Sequence, residues 1–378
     1  MAEAPAFDRY AAWGKGPARL LLVLVLGLLV MAAVTPITSG EGAARPPGLT
    51  WAGPARERDE DLKLYDGVIA RLRQGESYYP VIAEEHRKHN YPLHPGFAVR
   101  LPTLAVIEAL VPPASLIPLS LALMAAVLLA WWRRLAPAPN GELDDGPHSA
   151  SLRLFALAGL FFGVSLGTTR YFFVLHELWA GQLLALSFGL HRPGQKIGTG
   201  GKWLGAWLAA AAALAIREHA LPFVLLMAAF ALWHRRWKEG AAWLVLIALF
   251  VGAMALHLHT VAGYVRPDDS PSASWLALRG LNGWLSLEVL SSNLRWLPHY
   301  LAGPILMASL LGWSGWKSPA GAFGTLLYLG YGAAFMIAGR TDNFYWGFMV
   351  TPALFAGLAF VPVALKSLVS AAFPVQQR

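Results

Sequence analysis

Ten long apolar runs leave this chain few options. They cover residues 20–34, 114–132, 152–166, 175–190, 203–216, 220–233, 241–258, 296–311, 323–338 and 348–365. A helix needs roughly 20 residues to cross the hydrocarbon core of a bilayer, and each run is that long or nearly so. Lipid offers no water to open backbone groups, so only helices and closed barrels span it, and unbroken runs of this length specify helices. Charged residues make up only 14% of the chain, against about 25% in soluble domains. The expected fold class is all-α, a polytopic membrane protein of about ten transmembrane helices forming one integral membrane domain over 1–378.

The basic residues set the expected topology. Lys15 and Arg19, Arg133 with Arg134 and Arg153, Arg192 with Lys196 and Lys202, Arg235 with Arg236 and Lys238, Lys317 and Lys366 fall at alternate ends of successive runs. Lys and Arg concentrate on the cytoplasmic side, so both chain ends are expected there. The net charge of +8 is then a topology signal, attracted to anionic headgroups rather than to nucleic acid. The first run follows basic residues as a secretory leader would, but no small-x-small cleavage site succeeds it, and it reads as a retained anchor. The chain has no cysteine, which excludes disulfides and thiolate chemistry.

Two segments break the apolar pattern on the outer side. Residues 35–113 open with a Pro/Gly-rich stretch, after which the spacing of Leu62, Tyr65, Ile69 and Leu72 predicts a helix over 62–74. "VIAEEHRKH" predicts a second short helix and residues 103–110 a third, closed by Pro112 and Pro113. A second outer segment, 259–293, reads as a flap. The inner loop "HRPGQKIGTGGKW" lacks the leading Gly and the final Ser or Thr of a phosphate-cradling loop, and reads as a connection. His257 and His259, two apart on a helix, do not share a face and are expected to hold no metal; His86 and His89, three apart, could share one but lack further ligands and are expected on a solvated face. The tryptophans read mostly as an interfacial belt.

"AALAIREHALPFVLL" places Arg217, Glu218 and His219 in a gap of almost no length between two runs. Further ionisable residues close to the hydrocarbon fall on the same outer side: Arg100, Arg170, His176 and Glu177, Arg295 and His299, Arg340 and Asp342. An ionisable group at membrane depth costs about 3 kcal/mol on insertion scales, so such groups face a protein interior or a wet cavity. Their recurrence on one side predicts a shared outward cavity. Arginine suits phosphate, offering paired donors on a charge that is never lost. A phosphate at headgroup level carried on something hydrophobic is a lipid phosphate, and carboxylates opposite it suit activation of a hydroxyl nucleophile.

The first outer segment resembles the signature of the GT-C superfamily of membrane glycosyltransferases, which includes protein O-mannosyltransferases, aminoarabinose transferases and polyprenyl-phosphate-mannose mannosyltransferases. The residues that carry the resemblance are Asp61, Tyr65 four places on, Gly75, Tyr79 with Pro80, and Tyr91 to Pro95. "HELWAGQLLAL" and "GRTDNFYWG" look like pieces of bacterial multispanning members. The specific motif covers about 40 residues of the chain. It departs from the family in having Asp-Leu where Asp-Glu is common, and His94-Pro95 where the return usually carries Lys-Pro-Pro. No soluble C-terminal domain is expected.

The resemblance implies an inverting glycosyltransferase in the bacterial inner membrane with its site on the periplasmic face. A polyprenyl-phosphate sugar is the donor, and the acceptor hydroxyl belongs to an unidentified glycan, lipid or protein. Asp61 is the expected general base, with Asp59 and Glu60 as alternatives. Arg217, Arg340 and Arg295 are expected to hold the donor phosphate. Tyr65, His94, Arg170, His176, Glu177, Glu218, His219, Asp342 and Asn343 are expected around sugar and acceptor. No cofactor is expected, because a phosphate leaving group held by arginines does not strictly need a metal. Alternatives are a transporter or flippase of a lipid-linked sugar, for which two related halves are absent from the sequence, an oligosaccharide ligase using a lipid diphosphate, and a non-catalytic scaffold.

Overall fold

The computed structural model describes residues 8–38, 59–136, 143, 149–191 and 203–374. The Pro/Gly-rich stretch over 39–58 and the inner loop over 192–202 lie outside the described residues. Fifteen α-helices occur among the described residues, in chain order α1 (Lys15–Val34), α2 (Glu60–Arg73), α3 (Tyr78–Lys88), α4 (Thr103–Leu110), α5 (Leu116–Arg134), α6 (Ser149–Val164), α7 (His176–Leu190), α8 (Leu204–Ile216), α9 (Leu221–Trp233), α10 (Trp237–Ala262), α11 (Gly280–Leu290), α12 (His299–Gly315), α13 (Pro319–Ile337), α14 (Thr351–Leu354) and α15 (Val361–Ala372). Short 3-10 turns link several of them, and the described residues contain isolated bridges but no strand.

Each of the ten apolar runs is helical. Six stretches are long and apolar enough to cross a membrane: Lys15–Val34, Pro113–Arg134, Ser149–Thr168, Trp237–Ala262, Pro319–Ile337 and Thr351–Ala372. The protein is thus an all-α integral membrane protein. α8 and α9 are shorter, 13 residues each, or about 20 Å at 1.5 Å per residue. The break between them falls at Arg217, whose backbone is extended; Glu218–Ala220 then forms a 3-10 turn, and Pro222 sits in the first turn of α9, where its missing N–H costs nothing.

The two ends of the chain meet. Nε of Arg19 in α1 donates to the carbonyl of Ala372 at 2.9 Å, at the end of α15. α12 packs beside both, running from Gly303 against Ala32 to Gly315 against Ala364 and Tyr10.

Two expectations are corrected by burial. The segment over 259–293 is not a flap throughout: α10 extends to Ala262, and in α11 every residue from Gly283 to Val289 is buried. Gly283 abuts the backbone of Phe335, and Trp284 lies over Gly332, so α11 descends along α13 into the bundle. At 11 residues it is only about 16 Å long, too short to register as a span. Nor are the tryptophans mainly a belt. Trp13, Trp132, Trp233, Trp237 and Trp296 are exposed, whereas Trp131, Trp243, Trp313 and Trp316 are fully buried. Three of these four indole N–H groups find internal acceptors: Trp131 on the Ala185 carbonyl, Trp243 on Glu239 and Trp313 on the Leu354 carbonyl.

Close backbone approach fixes the C-terminal half of the bundle. A Cβ on Gly312 of α12 would collide with the Gly357 carbonyl oxygen, a backbone atom that cannot swing aside. Gly312→Ala is expected to cost about 3 kcal/mol, the upper end for overpacking. Gly252→Ala in α10, where a Cβ meets nothing, is expected to be neutral or slightly stabilising. Thermal unfolding of the two purified variants in detergent checks the contrast.

Candidate functional site

The outer segment folds onto one end of the bundle. α2 buries Leu62, Leu64, Tyr65, Val68 and Ile69, and α3 packs across it with Glu85 against Gly67. Gly75, with φ +90°, ends α2, and Asn90, with φ +57°, turns the chain after α3. Tyr78 and His86 then hold the returning strand of chain: the Tyr78 hydroxyl donates to the Arg100 carbonyl at 2.7 Å, and His86 Nδ1 lies 2.8 Å from the Pro92 carbonyl. His86 and His89, expected on a solvated face, separate: His86 is 2% exposed beneath this return.

A cavity of about 590 Å3 lies where this cap meets the ends of α8, α9 and α13. Asp61 enters it from the first turn of α2, half-buried, with the Tyr91 hydroxyl donating to its Oδ1. Burial pushes its carboxyl up to about 6, against the opposing pull of Arg100. Neither alternative base lines the cavity. Glu60 is exposed and bound to Lys63 and His89, while Asp59 precedes the helix with its N–H toward Tyr171.

The deepest feature is a carboxylate shared by two arginines. Glu177 is completely buried at the start of α7. Its Oε1 accepts from Arg100 Nη1 at 2.9 Å and lies 2.7 Å from Arg217 Nε. Arg217, 3% exposed, also pairs with Glu218 at 2.5 Å. Arg100 donates to the Tyr65 hydroxyl at 3.2 Å and lies over the Tyr345 ring. Burial pushes the Tyr65 hydroxyl up to about 12, so it stays a neutral donor and acceptor. His176 is fixed behind Tyr65, with Nε2 3.3 Å from the Leu101 carbonyl.

The opposite wall follows α13. Gly339, with φ +98°, turns the chain so that Arg340, Asp342 and Asn343 face the cavity. Arg340 pairs with Asp342 at 3.2 Å and keeps partial exposure. Asn343 Oδ1 accepts from the Arg340 N–H and its Nδ2 donates to Tyr345. His219 sits edge-on to Trp346, 4.5 Å between rings, and its carbonyl accepts from Tyr331.

The structure therefore brings together Asp61, Tyr65, Arg217, Glu218, His219, Arg340, Asp342 and Asn343 around one space. Besides Asp59 and Glu60, five expected residues are not in its lining: His176 and Glu177 are buried behind it, and three lie elsewhere. Arg295 lies against the rings of Phe172 and Phe344, Arg170 is exposed, and His94 Nε2 reaches the Asp269 carbonyl at 2.8 Å, tying the two outer segments together. Arg100, expected near the cavity, and Tyr91, part of the motif, line it without having been named as site residues, as do Tyr345 and Trp346. Among the described residues no three His, Asp or Glu side chains cluster as metal ligands.

No protein-family model, no curated protein and no solved structure matches this chain.

Proposed function

We propose that the protein is a membrane glycosyltransferase of GT-C type that moves a sugar from a polyprenyl phosphate to an acceptor hydroxyl. One observation carries this reading: the cavity is polar at one end and continues as an apolar flank that opens sideways. Beyond Arg217 and Arg340 its lining passes to Leu221 and Pro222 of α9 and to Gly330, Ala334 and Ala338 of α13, with Pro222, Gly330 and Ala334 exposed. A ligand with a charged head and a long hydrocarbon tail matches that division.

In this reading ten crossings alternate along the chain, with both ends cytoplasmic and the cavity outward. The acceptor oxygen attacks the anomeric carbon as the bond to the phosphate oxygen breaks, and the bonding pair leaves with the lipid phosphate. Asp61 takes the acceptor proton. Arg340 and Arg217 stabilise the charge gathering on the phosphate, and Arg100 takes the place intended for Arg295. Attack opposite the leaving group inverts the sugar. Translocation is disfavoured by the far end of the bundle, where Arg134, His191, Glu239 and Trp243 form a buried, hydrogen-bonded plug.

The test is donor consumption in membranes containing the protein, supplied with polyprenyl-phosphate and polyprenyl-diphosphate sugars and an acceptor extract, followed by product mass. Consumption of a monophosphate donor is expected. Consumption of diphosphate donors alone would replace this reading with an oligosaccharide ligase, and no consumption of either would sink it. Arg340→Gln is expected to raise the donor KM about tenfold, the loss of roughly one charge-assisted contact, with a smaller change in kcat; initial rates against donor concentration decide.

A further inference from the structure

A second groove lies at the other end of the bundle, and the proposed transferase chemistry does not use it. α12 forms its floor, through Met307, Leu310 and Leu311; α1 and α13 form its walls, through Leu21, Val25, Leu29 and Leu326, Leu329. Its volume is about 490 Å3. It runs from Ser314 to Met307 on the floor and from Leu21 to Leu29 on one wall, about 10–12 Å of helix. One leaflet of hydrocarbon is about 15 Å deep, half of the roughly 30 Å core.

One end is polar and basic. The Tyr10 hydroxyl and Ser314 hydroxyl are 2.7 Å apart there, beside Trp13. Arg9 Nη2 donates to the Trp316 carbonyl at 3.1 Å, while its Nε is buried without a hydrogen-bond partner. Asp8, the adjacent anion, is committed to the N–H groups of Tyr10 and Ala11. A basic, hydroxyl-lined head over an aliphatic trough that fits within one leaflet is complementary to an anion carried on an acyl chain.

We propose that this groove is a binding site for one anionic phospholipid, its headgroup at Arg9, Tyr10 and Ser314 and an acyl chain between α1 and α13. The site is independent of the transferase reading.

The experiment titrates the full chain, purified in detergent, with phosphatidylglycerol and separately with phosphatidylcholine, counting bound lipid by native mass spectrometry. One phosphatidylglycerol per chain is expected to bind in preference to phosphatidylcholine. Arg9→Gln is expected to weaken phosphatidylglycerol about fivefold, the worth of one cation near a headgroup, and to leave phosphatidylcholine unchanged. Leu326→Trp, at a position already exposed along the groove, is expected to weaken both lipids while the protein keeps its thermal midpoint. Equal binding of the two lipids by wild type overturns the proposal. So does unchanged phosphatidylglycerol binding in both variants. A Leu326→Trp protein that changes oligomeric state with lipid binding intact also overturns it, and assigns the groove to a second copy of the chain.

Discussion

Asp61→Asn is expected to lower the rate of sugar transfer by about 10²–10⁴-fold, the usual contribution of a positioned general base, with little change in stability. Asn has nearly the shape of Asp and still presents an oxygen to the Tyr91 hydroxyl, so the contact that orients the side chain survives while the basic site is lost. The companion expectation concerns pH. Burial holds the carboxyl near 6, and only the anion accepts a proton, so kcat/KM in wild type rises with pH through a midpoint near 6 and then levels off. The stability linkage has the opposite sense. The folded state binds this proton more tightly than the unfolded chain, so the group favours folding at low pH and that contribution fades as pH rises through 6. Initial rates from about pH 5 to 8 for wild type and variant test both statements. Equal rates in the two proteins would remove Asp61 from the chemistry, and Glu60 would not replace it, because its carboxylate points away to Lys63 and His89.

Removal of Glu177 is expected to have the largest effect on stability. Its carboxylate is the common counter-charge of Arg100 and Arg217, and nothing else in contact can serve both. Glu177→Ala would leave Arg217 on Glu218 alone and Arg100 with the neutral Tyr65 hydroxyl. Breaking a buried pair by deleting one partner costs about 3–5 kcal/mol, because the surviving charge stays desolvated. Denaturation in detergent should show that loss, with Glu177→Gln intermediate because an amide still accepts a hydrogen bond. If Glu177→Ala unfolds no earlier than Glu60→Ala on the surface, the trio does not hold this end of the bundle together.

The helical membrane character was legible because lipid demands one simple thing, length of apolar helix, which six stretches supply outright while the remaining runs are helical but shorter. The caps of the outer segment were legible for a similar local reason: Leu62, Tyr65 and Ile69 repeat at helical spacing, and Gly75 sits where α2 needs a left-handed residue. α11 escaped because 11 residues with Asn282, Ser286 and Glu288 among them look like a loop until packing against α13 is known. At the site, position along the chain was legible and facing was not. Arg295 and Arg217 both stand at ends of apolar runs, yet one turns to two phenylalanine rings and the other to Glu177. The contact between Tyr91 and Asp61, like that between Arg100 and Glu177, joins residues far apart in sequence, and no local spacing announces it.

The sideways opening between α9 and α13 bears on how the reaction would have to be measured. A donor arriving through Pro222 and Ala334 never leaves the bilayer, so its encounter with Asp61 is a two-dimensional event. The rate would then follow the mole fraction of donor in the membrane rather than its amount per volume of buffer. Adding inert lipid to proteoliposomes at fixed donor and fixed protein should slow turnover by dilution within the surface, and adding buffer should not.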